Sequence, residues 1–487
     1  MAGQALIGID VGTTSVKAAV IGPDGRVLDS FAGTYPTARA GLNQVEQNPD
    51  DWMALIGRAL DRFAGHDVAA IGLCSQVNTH VFVDGEGAAL RPAILWQDGR
   101  SGAVAARLDA GVSAAQKVEW WGAPMPIDAS HAISRMAWVA QHEPAIWAAT
   151  RYVLLPKDYC IWQMTGNVLT DPLSNVGLVG PDMDYVRGVL DLVPGAADRV
   201  APLIGLTEVA GRLRSGPFQG CPVVSGTMDA WAGLVGVGAA TEGAAVYLSG
   251  TSEIMGISCR NVVPAPGVIV FPEYQGLRLH AAPTQSGGDA KRWFSEMAGL
   301  SFGDMADLVA LHPRSPATPL FLPQLEGERA PIWDADLRAA FLNVSRRTAL
   351  PDLARAVYEG VALSARHALE ALKRSADVPV DMVLCGGGGF RSASWNQIRA
   401  DVLGVPLRDM AGAEPGVLGA AMLAGIGAGQ FTGFAQAGAV LSVSGAQYRP
   451  DPAQAALYDD LFAIYLEAID TNAALGKRLA AVGQTTE

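Results

Sequence analysis

Cysteine and histidine are scarce in this 487-residue chain, and neither is grouped. The five cysteines, Cys74, Cys160, Cys221, Cys259 and Cys385, lie far apart with no Cys-x-x-Cys pair. That excludes a zinc ribbon and leaves reduced, buried thiols as the expectation. The seven histidines form no metal-binding pattern, and His-Glu-x-x-His is absent. No uncharged apolar run reaches the roughly 20 residues that a membrane helix requires. The N-terminus has no basic segment followed by an apolar leader, so a cytoplasmic location is expected. Positive charge is in deficit, with 35 Lys and Arg against 48 Asp and Glu, a net charge of -13. Such a surface disfavours nucleic acid and anionic membrane as partners. The P-loop pattern Gly-x-x-x-x-Gly-Lys-[Ser/Thr] is missing, as is a Gly-x-Ser-x-Gly elbow. Gly425-Ile-Gly427-Ala-Gly429 follows a helix-like segment and lacks a third glycine at the required offset, so it is not read as a dinucleotide loop.

Apolar material is abundant: 50% of residues are hydrophobic and 17% charged, which suits large buried sheets and excludes disorder. The length predicts about two or three domains. Two segments look like copies of one device, Ile7–Ile21 (IGIDVGTTSVKAAVI) and Ala245–Ser258 (AVYLSGTSEIMGIS). Each reads as strand, Gly-Thr turn and strand, a hairpin with a small polar tip. Each copy opens one half of the chain, placing a boundary near residue 242 and domains at 1–241 and 242–487. The spacing predicts helices from Pro49 to about Phe63, over 132–141 and 157–164, from Leu350 to Arg374, from Ser394 to Leu403 and from Pro452 to Ala474. It predicts strands at Val68–Cys74, Thr79–Val83, Val223–Val224 and Val380–Leu384. Strands alternating with crossover-length helices imply an α/β fold.

Three phosphate-friendly turns and one acid carry the chemistry. The first turn holds Asp10, Thr13, Thr14 and Lys17; a carboxylate at a strand end suits Mg²⁺, and an ordinary turn aspartate is the competing reading. The second is Ser249-Gly250-Thr251-Ser252. The third is the run Gly386 to Gly389, between a strand and a helix. Four successive glycines are costly in chain entropy, which favours close approach of a ligand there. The acid is Asp229, after the buried strand Val223–Val224 and at the head of a small-residue helix. It reads both as a helix cap and as a general base.

These residues fall in motifs that resemble the FGGY carbohydrate kinases, and within them the xylulokinases. The resemblance runs from Ile7 to about Gly427 through Ile7–Lys17, Ala93–Arg100, Leu154–Tyr159, Gly226–Gly238, Leu248–Ser252, Phe321–Pro331, Ala354–Ala362 and Cys385–Leu407. It implies two actin-like ATPase (ribonuclease H-like) domains with an interdomain cleft, the first binding sugar and the second ATP. It implies Asp229 as catalytic base and Gln76, Val77, Asn78, Trp96 and Ala230 beside the sugar. It implies Asp10, Thr13, Thr14, Lys17, Gly250, Thr251 and Gly287 toward ATP, with Mg²⁺ on Asp10. Gly386, Gly387, Gly388 and Asn396 are implied at the adenosine. A homodimer is the assembly to test. The chain departs from the xylulokinase pattern in three places. Gln76-Val77-Asn78-Thr79 stands for Gln-Met-His-Gly, Ala230 for an asparagine after the catalytic acid, and Asn343 for a glycine. The first two put D-xylulose in doubt and open ribulose, erythritol or glycerol as substrates. A non-catalytic sugar sensor of the same fold is disfavoured, because no basic helix-turn-helix accompanies the chain. An actin- or chaperone-like ATPase is disfavoured because it has no use for an acid after Gly-Thr-Met.

Overall fold

The computed structural model describes residues 4–40, 43–122, 124–263, 265–334, 336–412 and 414–484. The chain divides into two compact units, Met1–Gly238 with Pro415–Val443, and Ala239–Glu414 with Ser444–Glu487.

The main sheet of the first unit contains β1 (Ala5–Val11), β2 (Ser15–Ile21), β3 (Val27–Thr34), β4 (Val68–Ser75), β5 (Val209–Arg212) and β6 (Pro222–Met228), in the order β5-β6-β4-β1-β2-β3. β1, β2 and β3 form an antiparallel meander, and β4 runs parallel to both β1 and β6. Every residue of β1 except Asp10 is buried, as expected for a central strand covered on both faces. On one face Ile7, Ile9, Val11, Val16, Ile71 and Leu73 pack with Trp52, Leu55 and Ile56 of the helix Pro49–Arg62. That helix starts where its sequence dictates: Asn48 caps it, proline occupies the first turn, and Asp50 and Asp51 sit at its positive end.

The other face is covered by a helix from much later in the chain. The helix Pro415–Gly427 is rich in small residues and lies against β1 and β4 at backbone contact. Gly8 and Gly72 are register partners, and a Cβ on either would stand 1.9 Å from the Val417 carbonyl oxygen or 2.0 Å from that of Ala420. The same helix meets the helix Asp229–Gly236, where a Cβ on Gly419 would stand 1.8 Å from the Ala232 carbonyl oxygen. Residues 415–443 therefore pack with the first unit. Gly425 and Gly427, the glycines of the rejected dinucleotide loop, serve this packing against Phe431 and Val224.

The second unit repeats the wiring. Its sheet contains β7 (Ala244–Ser249), β8 (Glu253–Cys259), β9 (Ile269–Val270), β10 (Arg278–Thr284), β11 (Val383–Gly386), β12 (Leu407–Ala411) and β13 (Val443–Tyr448), in the order β9-β10-β8-β7-β11-β12-β13. β7, β8 and β10 are antiparallel, and β11 is parallel to β7 and β12. The two hairpins seen in the sequence thus open two sheets of like order, the duplicated actin-like arrangement. The helix Leu350–Ala376 buries Val357, Val361, Ala365, Ala368 and Leu372 against the second sheet. β11 begins at Val383 rather than Val380: the helix ends in a left-handed Asp377, φ 50°, and the segment with Pro379 forms a loop. The last helix, Ala455–Gln484, extends beyond Ala474 after a short 3₁₀ turn at Pro452–Gln454. Asn343 has φ 66°, which asparagine tolerates better than most residues and which explains its standing where the resembled family has glycine.

Candidate active site

In the first unit, strand register gathers the expected acids. Asp10 of β1 faces Cys74 of β4, and Cys74 faces Thr227 of β6, a row across three neighbouring strands near their carboxyl ends. Asp229 follows two residues beyond Thr227. Met228 takes the N-cap position of the helix Asp229–Gly236, so Asp229 occupies the first helical turn, where the helix dipole favours a carboxylate. Its Oδ1 accepts a hydrogen bond from the Ala230 amide at 2.8 Å. Cys74 marks the convergence: burial and then the Asp10 and Asp229 carboxylates push its thiol well above the usual range. The thiol donates to the Gly416 carbonyl at 3.3 Å. Lys17 stands opposite Asp10 in the β1–β2 register.

The turn between β1 and β2 is braced by residues that sequence reasoning assigned elsewhere or missed. Tyr35 donates its hydroxyl to the Gly12 carbonyl, and Gln47 donates to that of Thr13 at 2.7 Å. The Trp96 indole donates to Thr13 Oγ1 at 3.1 Å, and Gln76 reaches Gln47 at 3.2 Å. Thr13, Gln76 and Trp96 therefore share one network, with Thr14 exposed beside it. Gln76 is buried, with its side chain turned into this network. Val77 and Ala230 are half-buried. Asn78 has a backbone reason for its identity: it takes φ 54°, and its side-chain amide donates to Ser130 Oγ at 3.1 Å. The fully buried Arg135 donates to the carbonyls of Asn78, Ile94 and Leu95 and fixes this loop.

Beneath β4 and β6 lies a charged cluster without solvent contact. Lys157 Nζ lies 2.6 Å from Asp158 and 2.7 Å from Asp171, and Thr227 donates to Asp171 at 2.9 Å. Burial opposes the ammonium, but the two carboxylates outweigh it and hold Lys157 protonated. In the sequence Leu154–Tyr159 stands out only as a motif, and a lysine amid apolar residues is the one signal of this cluster.

In the second unit three turns converge. The Gly288 and Asp289 amides donate to the carbonyls of Gly250 and Thr251, both at 3.0 Å, so the segment holding Gly287 lies directly against the β7–β8 tip. Glu328 secures that segment, accepting from the Gln285 amide at 2.5 Å and from Ser286 Oγ at 2.6 Å. The glycine run lies on the same tip, but the glycines differ in purpose. A Cβ on Gly387, φ 96°, would stand 2.6 Å from the Ser249 carbonyl oxygen, and one on Gly389 would stand 2.0 Å from Ser249 Oγ. Their close approach is thus to protein. Gly386 ends β11, and Gly388 alone is exposed, its Cβ position having nothing within 4 Å. Asn396, expected at the adenosine, is fully buried and braces the loop by donating to the Phe390 carbonyl at 2.7 Å. Gly250 and Thr251 are exposed at the tip.

A duplicated α/β unit with a small polar hairpin tip in each copy defines the class of the actin-like ATPases and sugar kinases. The chain belongs to the FGGY family of carbohydrate kinases: residues 5–236 match its N-terminal domain and 245–428 its C-terminal domain. It is 30% identical over 439 residues to the xylulose kinase of Escherichia coli (strain K12), covering 87% of this chain and 90% of that protein. The fold resembles that of ligand-bound xylulose kinase from Lactobacillus acidophilus, with TM-score 0.89, 23% identity and coverage of 98% and 99% of the two chains. It resembles gluconate kinase from the same organism almost equally, with TM-score 0.88, 23% identity and coverage of 98% and 99%. The enzyme is therefore a carbohydrate kinase, a phosphotransferase with ATP as the donor general to its family. Among the described residues no helix is long and apolar enough to cross a membrane.

Proposed function

We propose that this kinase phosphorylates a hydroxyl of a small sugar, a pentulose such as xylulose, with Asp229 as general base, sugar on the first unit and Mg-ATP on the second. The observation that carries the reading is the convergence of Asp10 and Asp229 on Cys74. Phosphoryl transfer asks a protein chiefly for positioning and charge neutralisation, with one base to take the acceptor hydroxyl's proton. Asp229, held by the Ala230 amide at a helix start, suits that base. Among the described residues no three His, Cys, Asp or Glu side chains group as a metal cage. Mg²⁺ in a kinase needs only one or two carboxylates beside phosphate oxygens and water, so Asp10 fits it. The ion would neutralise charge on the phosphates. The exposed Gly250, Thr251 and Gly388 suit a nucleotide's phosphates and sugar, since their backbone lies open to approach.

The exact sugar is the second question. Ala230 removes a polar group beside the base, and Asn78 is engaged with Ser130. A pocket that leaves a substrate hydroxyl unmatched loses about 1–3 kcal/mol. Another ketose or a polyol therefore competes with D-xylulose. Steady-state assays with D-xylulose, L-xylulose, D-ribulose, L-ribulose, erythritol and glycerol at fixed Mg-ATP decide it. We expect a pentulose to be phosphorylated, with D-xylulose matched by at least one other member. A kcat/KM for D-xylulose more than about tenfold above all others, a margin of about 1.4 kcal/mol, defeats the broadened specificity. Turnover with none of them defeats the pentulose reading itself.

A further inference from the structure

One fully buried ion pair links the two turns assigned to the nucleotide. Arg399 lies on the helix Ala393–Leu403 and has no solvent exposure. Its Nη2 donates to Ser249 Oγ at 2.8 Å and to Glu253 Oε1 at 2.6 Å, while its Nη1 donates to the Gly389 carbonyl at 2.9 Å. Ser249 Oγ also donates to Glu253 Oε1 at 2.7 Å, and Tyr247 donates its hydroxyl to Glu253 Oε2. Ser249 and Glu253 are the register pair that closes the β7–β8 turn. One guanidinium thus holds the base of that turn with one prong and the glycine loop with the other. Its plane is fixed by Trp395, whose ring centroid lies 3.6 Å away, and by Phe390 at 4.4 Å and Tyr247 at 5.1 Å. Burial raises the Glu253 carboxyl and Arg399 opposes it. An ion pair so deeply buried is a poor source of stability compared with apolar residues of similar volume. Its geometry supplies what such residues lack, a fixed spacing between two loops.

We propose that Arg399 is a positioning residue for the nucleotide, setting the spacing between the Ser249–Ser252 turn and the Gly387–Gly389 loop through its two prongs. The proposal rests on the assignment of these turns to ATP. Removing Arg399 alone leaves Glu253 buried without its cation and endangers folding. The informative protein is therefore the full chain carrying Arg399→Met together with Glu253→Gln, which balances the charge, keeps one oxygen acceptor for the Ser249 or Tyr247 hydroxyl and offers the other an amide donor to accept from. Arg399→Lys serves beside it, keeping the charge but losing the fork.

In the double variant we expect ATP KM to rise by about tenfold or more while sugar KM stays within about twofold. Its thermal midpoint should exceed that of Arg399→Met. Arg399→Lys should fall between wild type and the double variant in ATP KM. A folded double variant with ATP KM within about twofold of wild type, or with both KM values raised equally, overturns the proposal. Gly388→Val, whose Cβ meets no protein atom within 4 Å, separates this from the underlying assignment. If Gly388→Val raises ATP KM and the double variant does not, only the role of Arg399 falls. If Gly388→Val also leaves ATP KM unchanged, the nucleotide assignment of the loop falls with it.

Discussion

The proposed reaction asks a single carboxylate to act as base, and the residues around it say what its loss should look like. Asp229→Asn keeps size and helix position but removes the base, so kcat should fall by about 10²–10⁴-fold while ATP affinity is retained. Sugar-dependent turnover within about threefold of wild type would remove Asp229 from the role. The glycine run permits a sharper test than the sequence suggested. Gly387→Val should lower the thermal midpoint as well as nucleotide affinity, because its Cβ strikes the Ser249 carbonyl at a positive φ. Gly388→Val should leave the thermal midpoint close to wild type and raise only ATP KM, measured in parallel titrations of both substrates. The contacts of Cys74, Gln47 and Arg399 were not legible, because each is made with partners far away in sequence. Asn78 was legible as a departure, but its left-handed backbone was not.

Elements carried more of their meaning in the sequence. The helix Pro49–Arg62 was readable from its cap, its proline and its apolar spacing, and Leu350–Ala376 from periodicity alone. β11 was misplaced by three residues at its start, since Val380 is apolar but sits in the loop after Asp377. The long helix also carries a titration. His367 lies beside Phe462, and burial, then Arg374, holds its pKa down to about 4 against an ordinary 6.5. Above pH 6.5 both folded and unfolded chains leave it neutral. As pH falls from 6.5 toward 4 the unfolded chain takes up a proton that the folded chain refuses, so stability is lost across that window. His367→Gln should therefore show a smaller drop in thermal midpoint between pH 7 and pH 5 than wild type. Equal drops would show that His367 contributes nothing to acid sensitivity. His80 and His131, also depressed by burial, leave part of the drop in place.

For the whole molecule, duplication was legible and the path of the chain was not. The paired hairpins announced two sheets, but nothing local in Pro415–Gly427 says which sheet it covers. The answer depends on Gly8 and Gly72, roughly 350–400 residues earlier, whose missing side chains let its backbone approach. A fragment ending at Gly238 lacks that cover over β1 and β4. Expressed alone, it should aggregate or unfold without a cooperative transition. Joining residues 415–443 to it through a flexible linker should restore cooperative thermal unfolding, followed by circular dichroism. A soluble, cooperatively unfolding 1–238 fragment would show that the helix is dispensable to the first unit.

The return of residues 415–443 also sets a timetable for biosynthesis. The first sheet emerges from the ribosome early, yet its covering helix follows only after the roughly 180 residues of the inserted unit. About 340 residues separate the end of β4 from Pro415, so at about 5–20 residues per second β1 and β4 wait about 17–70 s with one apolar face open. The nascent chain is most exposed to chaperones, and most prone to aggregate, during that interval, and codons that slow translation between Gly238 and Pro415 would lengthen it.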